Sequence, residues 1–146
     1  FYRQVVSSMP GLYPGVAQAV RELKDAGYRV AIFSDKRHAF GVPELDQTEI
    51  APLVDHSLFL LEGRPYKPDP NGLLQVLDAL GVEPSHALYV GDTADDMNCA
   101  RRAGVSSGAA MWGTLDGEKL VSTKPDFQWE RPEQLVVSLS RNLTFA

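Results

Sequence analysis

Apolar positions along the chain switch between two spacings, and the switching sets an order of elements. Val16, Ala19, Val20, Leu23 and Ala26 recur at the three-to-four-residue interval of one helix face. Pro14 and Gly15 open that helix, and Gly27 closes it with a residue suited to the left-handed conformation. A buried strand follows, Arg29-Val-Ala-Ile-Phe33, apolar from Val30 onward and ending at Ser34-Asp35-Lys36.

Residues 38–56 carry a weaker pattern. Pro43 and Pro52 bracket a possible short helix, and Ser57–Leu61 reads as a strand. Gly63–Pro70 must be loop, because Pro65, Pro68 and Pro70 are incompatible with helix or central strand. Asp69 and Pro70 are N-cap and first-turn residues for the next helix, whose stripe is Leu73, Leu74, Leu77 and Leu80 before Gly81. Ala87–Val90 is a second clear strand and ends in Gly91-Asp92. A helix from about Thr93 to Ala103 closes at Gly104. Gly108–Trp112 reads as a strand, Phe127–Trp129 as a short edge strand, and Glu133–Leu139 as a final helix before a frayed end. Helices alternating with apolar strands predict an α/β fold, with layers around a mainly parallel sheet.

Composition narrows the class. The 146 residues suit one domain with a real core, and the charged fraction of 23% is that of a globular chain. A net charge of −5 argues against a broad nucleic-acid surface, and no apolar run reaches the roughly 18 residues of a membrane helix. The single cysteine, Cys99, forms no internal disulfide and suits a cytoplasmic location. Set within a helix, it reads as a packing residue. His38, His56 and His86 lack metal-ligand spacing, and Trp112 and Trp129 read as core or edge packing. The chain starts at Phe1 with no signal-peptide pattern, and is expected to begin part-way through a longer protein.

Ligands of open parallel sheets gather beyond the carboxyl ends of the strands, which directs attention to Ser34–Lys36, Tyr66–Pro70 and Gly91–Asp96. Asp92, Asp95 and Asp96 crowd one strand-to-helix turn, where a helix N-terminus or a hard cation such as magnesium offsets their repulsion. Simple N-capping explains the same residues without a metal, and Asp95 is expected to face solvent. Ser34 at a strand end suits anion binding by its hydroxyl and the following N–H groups, or a turn bond to its own backbone. Lys67, held between Tyr66 and Pro68, suits charge neutralisation if it faces the carboxylates, and is otherwise a surface lysine.

In this order, Ser34-Asp35-Lys36, Lys67-Pro68-Asp69-Pro70 and Gly91-Asp92-Thr-Ala-Asp-Asp96 resemble motifs two, three and four of the haloacid dehalogenase-like superfamily. The closest likeness is to its phosphoglycolate phosphatase-like branch. Leu12–Val16 and Ala103-Gly104 share the likeness, which runs from about residue 12 to residue 137. It implies a Rossmann-like three-layer sandwich and a magnesium-dependent phosphatase acting on a small phosphorylated metabolite. By position, Ser34, Asp35 and Lys67 would bind phosphate, with Ser34 and Lys67 catalytic. Asp92 would ligate magnesium, and Asp96 would support the metal through water or hydrogen bonds. Asp35 stands where this branch often carries asparagine, so its side chain is expected to turn away from the anion.

The superfamily's first motif, an apolar strand entering Asp-x-Asp-x-Thr with the nucleophilic aspartate, does not occur in these residues. Leu45-Asp-Gln-Thr48 follows Pro43-Glu44 rather than a strand, and Thr114-Leu-Asp-Gly117 comes after motif four. By the resemblance, residues 1–11 are expected to be the remnant of a cap and hinge, and residues 12–146 a core domain without its first, central strand. The chain alone is therefore expected to fold poorly and to be inactive. Two other readings remain open: a phosphomutase of the same superfamily, and a non-catalytic phospho-ligand or interaction module.

Overall fold

The computed structural model describes residues 13–143. The expected cap remnant at residues 1–11 and the frayed end from residue 144 lie outside them. In chain order the elements are α1 (Val16–Asp25), β1 (Ala31–Arg37), α2 (His38–Asp46), β2 (His56–Leu60), α3 (Asn71–Leu80), β3 (Leu88–Gly91), α4 (Ala94–Ala103), β4 (Ser106–Ala110), α5 (Gly117–Ser122), β5 (Phe127–Trp129) and α6 (Pro132–Leu143).

The strands form two parallel pieces, β1 with β2 and β3-β4-β5. Alternation along the strands feeds two cores. Val30, Ile32 and Val90 join α1, α2 and α6 on one face, through Val16, Val20, Leu23, Leu45 and Leu135. Ala31, Phe33 and Tyr89 join α3 and α4 on the other, through Leu73, Val76, Leu77, Cys99, Ala100 and Ala103. These are the three layers of the expected α/β sandwich. β1 and β3 are not laddered to each other, and share the layers through side chains such as the Phe33 and Tyr89 rings, 5.8 Å apart. A cavity of about 690 Å³ lies at this junction, lined by Val30, Leu80, Leu88, Val90, Phe127 and Leu139 among others.

Gly27 closes α1 at φ 91° and Gly104 closes α4 at φ 75°, both in the left-handed region that excludes most side chains. Several expectations need correction. Ala26 is the exposed cap of α1 and not part of its stripe. β1 does not end at Phe33. Phe33 pairs with Leu58 and Arg37 with Leu60, so Ser34, Asp35 and Lys36 bulge opposite Phe59 alone. α2 runs through Pro43 instead of starting after it; Pro43 faces solvent, and Gly41 fits so tightly that a Cβ would lie 2.3 Å from the Phe59 ring. Packing against β2 overrides the proline signal there. Leu74 is 37% exposed, and Val76 takes its place in the buried stripe of α3. β4 precedes the expected Gly108–Trp112 strand by two residues, because Met111–Gly113 turn into a 3₁₀ helix. The short α5, capped by Asp116, was not expected at all.

Candidate active site

The turn from β3 into α4 is built by reciprocal hydrogen bonds. Thr93 Oγ1 accepts from the Asp96 N–H at 3.2 Å, while Asp96 Oδ2 accepts from the N–H groups of Thr93 and Asp92, each at 3.1 Å. This capping box orients Asp96 so firmly that a Cβ on Gly91 would lie 2.3 Å from its Cβ. The other oxygen, Oδ1, receives the Lys67 ammonium at 2.8 Å. Their side chains are 2% and 0% exposed, so the pair sits in low dielectric, where each charge depends on the other. The Tyr89 hydroxyl completes the cluster. It accepts from Lys67 Nζ at 3.1 Å, lies 3.3 Å from Asp96 Oδ1, and reaches the Phe33 carbonyl at 3.1 Å. Lys67 Nζ also stands 5.3 Å from the Phe33 ring centroid.

Ser34 and Asp35 follow directly in the β1 bulge. Ser34 is buried, and its Oγ accepts from the Lys36 N–H at 3.0 Å, the turn bond that its sequence setting allows. Asp35 Oδ2 accepts from the Lys67 N–H at 3.0 Å, so its carboxylate points to the loop before α3. Arg64 of that loop lies 3.2 Å from Asp35 Oδ1 and donates to the Ser34 carbonyl at 2.7 Å. The Lys67–Pro68 peptide bond is cis.

Asp92 is buried at the end of β3. It opens onto a pocket of about 550 Å³ that Tyr13, Thr93, Asp95, Thr114, Asp116 and Lys119 also line; Ser34 and Lys67 do not. Asp95 faces solvent, as expected. The structure thus brings Lys67 and Asp96 into contact, joins Asp92 to them through its backbone N–H while its side chain opens onto the other pocket, and ties Ser34 and Asp35 to the Lys67 loop. Among the described residues, no group of three histidine, cysteine or acidic side chains is placed to hold a metal ion. No helix among them is long and apolar enough to cross a membrane. Cys99 is 0% exposed, and its Sγ donates to the Asp69 carbonyl at 3.5 Å. Burial pushes its thiol pKa up to about 12, with Asp96, Asp35 and Asp69 adding to the rise and Lys67 opposing it.

Two partners in the cluster escaped the sequence reading. The Thr93-x-x-Asp96 spacing is itself a capping-box signature and was legible. Tyr89 offered only a polar tip within an apolar strand, and Arg64 offered no signal beyond its charge.

The family profile described as haloacid dehalogenase-like hydrolase matches residues 1–110. The chain belongs to this family. It is 33% identical over 134 residues to a phosphoglycolate phosphatase of Aquifex aeolicus, covering 90% of this chain and 60% of that protein. Its fold matches a haloacid dehalogenase-like hydrolase of Streptococcus pneumoniae, with a TM-score of 0.80, 24% identity, and 88% and 60% of the two chains covered. A proposed β-phosphoglucomutase from Thermotoga maritima matches with a TM-score of 0.79 at 22% identity, covering 89% of this chain and 60% of that one. The chain therefore spans about 60% of the length of these relatives.

Proposed function

We propose that this chain is the phosphate- and metal-facing core of a phosphatase that hydrolyses small phosphomonoesters, with an aspartate outside these residues as nucleophile. Residues 12–146 would form the core domain of the intact enzyme, the complete polypeptide that carries the nucleophile. The buried Lys67–Asp96 pair carries the reading. A desolvated ammonium anchored on one carboxylate, at the strand ends where Ser34 and Asp92 also stand, suits the neutralisation of an incoming dianion. In this assignment the Ser34 hydroxyl donates to a phosphoryl oxygen while its oxygen keeps the Lys36 N–H. Lys67 neutralises charge on phosphate and nucleophile, while Asp96 fixes Lys67 and the Asp92 backbone.

Magnesium fits the donor set in part. Both Asp96 oxygens are engaged by hydrogen bonds, which gives Asp96 the supporting role; in this assignment the Asp92 carboxylate, at the end of β3, would be a hard oxygen ligand from this chain. Magnesium commonly retains waters and takes only one or two protein carboxylates. When bound, it would offset the negative charge of the phosphoryl group.

The likeness to phosphoglycolate phosphatases makes a small phosphorylated carboxylic acid the preferred substrate class. The test is release of p-nitrophenol from p-nitrophenyl phosphate by the intact enzyme, with and without magnesium. Turnover abolished by EDTA and restored by magnesium is expected; no metal-dependent release rejects the reading. Since the fold is shared with a proposed mutase, product analysis with a hexose phosphate decides the acceptor: free phosphate supports the hydrolase, an isomeric sugar phosphate the transferase.

A further inference from the structure

Asp35 poses a charge problem that follows from the proposed phosphatase site. Its carboxylate belongs to the residue directly after the anion-binding hydroxyl of Ser34, in the same three-residue bulge. A free carboxylate there would repel an incoming phosphate dianion. Its Oδ2 is occupied by the Lys67 N–H, but Oδ1 is buried and makes no aligned hydrogen bond. The charge close to Oδ1 is the Arg64 guanidinium, at 3.2 Å.

Arg64 is itself built into the site. Its side chain is 7% exposed, its guanidinium lies 4.9 Å from the centroid of the Phe33 ring, and Nη2 donates to the Ser34 carbonyl at 2.7 Å. The fit depends on Gly72 of α3, where a Cβ would lie 2.9 Å from Nη1 and 2.6 Å from the Phe33 ring. The buried Arg64 Nε has no hydrogen-bond partner, so the group is held by charge and stacking more than by a full set of donors. A planar guanidinium suits this position, because one face can lie over an aromatic ring while one edge serves a carbonyl and a carboxylate.

We propose that Arg64 is a positioning residue that binds the Asp35 carboxylate and holds its charge away from the phosphate cradle of Ser34 and Lys67. Asp35 then contributes backbone to the cradle, and its side chain braces the Lys67 loop. The inference rests on the phosphatase reading and deepens it. An uncompensated carboxylate at this range acts on a dianion in partly desolvated surroundings, where removal of the guanidinium is expected to weaken binding roughly tenfold or more.

The experiment compares four forms of the intact enzyme: wild type, Arg64→Met, Asp35→Asn and the double variant. KM for p-nitrophenyl phosphate is measured for each, together with the thermal shift produced by inorganic phosphate. Arg64→Met is expected to raise KM roughly tenfold and shrink the phosphate-induced shift, and adding Asp35→Asn to bring KM back within about threefold of wild type. A double variant as impaired as Arg64→Met overturns the proposal, because the guanidinium would then act by packing. An unchanged Arg64→Met overturns it as well. Should Arg64→Met fail to fold, Asp35→Asn alone decides: KM is expected to fall, since Arg64 would face the anion uncompensated, and a steady or rising KM counts as refutation. A wild type without turnover but stabilised by phosphate ends the phosphatase reading and leaves the pair to be judged on the thermal shifts. A wild type that turns over while no variant differs ends the pair alone.

Discussion

At the scale of single residues, Lys67 and Asp96 dominate the energetics of the site. Each is almost fully desolvated, and each is the other's opposite charge at 2.8 Å. Removing one partner strands the other in low dielectric, which costs about 3–5 kcal/mol in buried pairs. Lys67→Met in the intact enzyme is therefore expected to lower the stability measured by urea unfolding by that amount, besides abolishing turnover. Replacing both residues by apolar ones would cost less. Gly91 makes the second prediction. With Asp96 Cβ only 2.3 Å from where a Cβ would stand, Gly91→Ala must push the carboxylate out of its capping box or shift the strand end. A stability loss of about 1–3 kcal/mol is expected, as for other overpacked sites. Turnover is expected to fall more than the loss of folded protein explains, because Lys67 loses its anchor.

At the scale of elements, Asp55 ties three segments at the end of the sheet opposite the candidate site. Its Oδ2 accepts from the Val30 N–H at 2.8 Å, just before β1, and from Lys24 Nζ of α1 at 2.6 Å, while the residue itself precedes β2. Burial works against its ionisation. The Lys24 hydrogen bond, the Val30 N–H and the charges of Lys24 and Arg29 outweigh that effect and hold its pKa below the usual carboxylate value. An unfolded aspartate titrates near 3.9, so the stabilisation is complete above about that pH and is lost as pH falls through the lower native value. Thermal melts between about pH 3 and pH 7 are expected to show an acid-side loss of stability that Asp55→Asn reduces. An identical acid limb in the variant would assign the loss to other carboxylates.

At the scale of the whole molecule, the two parallel pieces meet through side chains and leave an open pocket of about 690 Å³ at their junction. A sheet in two pieces gives weak cooperativity between its halves. The 146 residues by themselves are expected to melt broadly. Cys99 reports on this, being the sole cysteine of these 146 residues, fully buried and held as a thiol by its raised pKa. In the intact enzyme Cys99 is expected to resist DTNB until global unfolding, whereas in the isolated chain it is expected to react at a rate approaching that in urea. A sharp melt with a protected Cys99 in the isolated chain would contradict this.

Most of the order of elements, the two-faced strands and the three candidate loops were legible in the chain, because apolar spacing and glycine or proline punctuation are local properties; the short α5 was not. Ser34, Lys67, Asp92 and Asp96 could be singled out for the same reason: each stands at a strand end or in a rigid turn. The tertiary structure alone decided who meets whom. Arg64 and Asp35 are 29 residues apart, and Tyr89 and Phe33 are 56, so no local pattern could announce their contacts. Pro43 inside α2 and Val76 in place of Leu74 show the same limit, since long-range packing, and not local propensity, fixed which side of each helix faces the core.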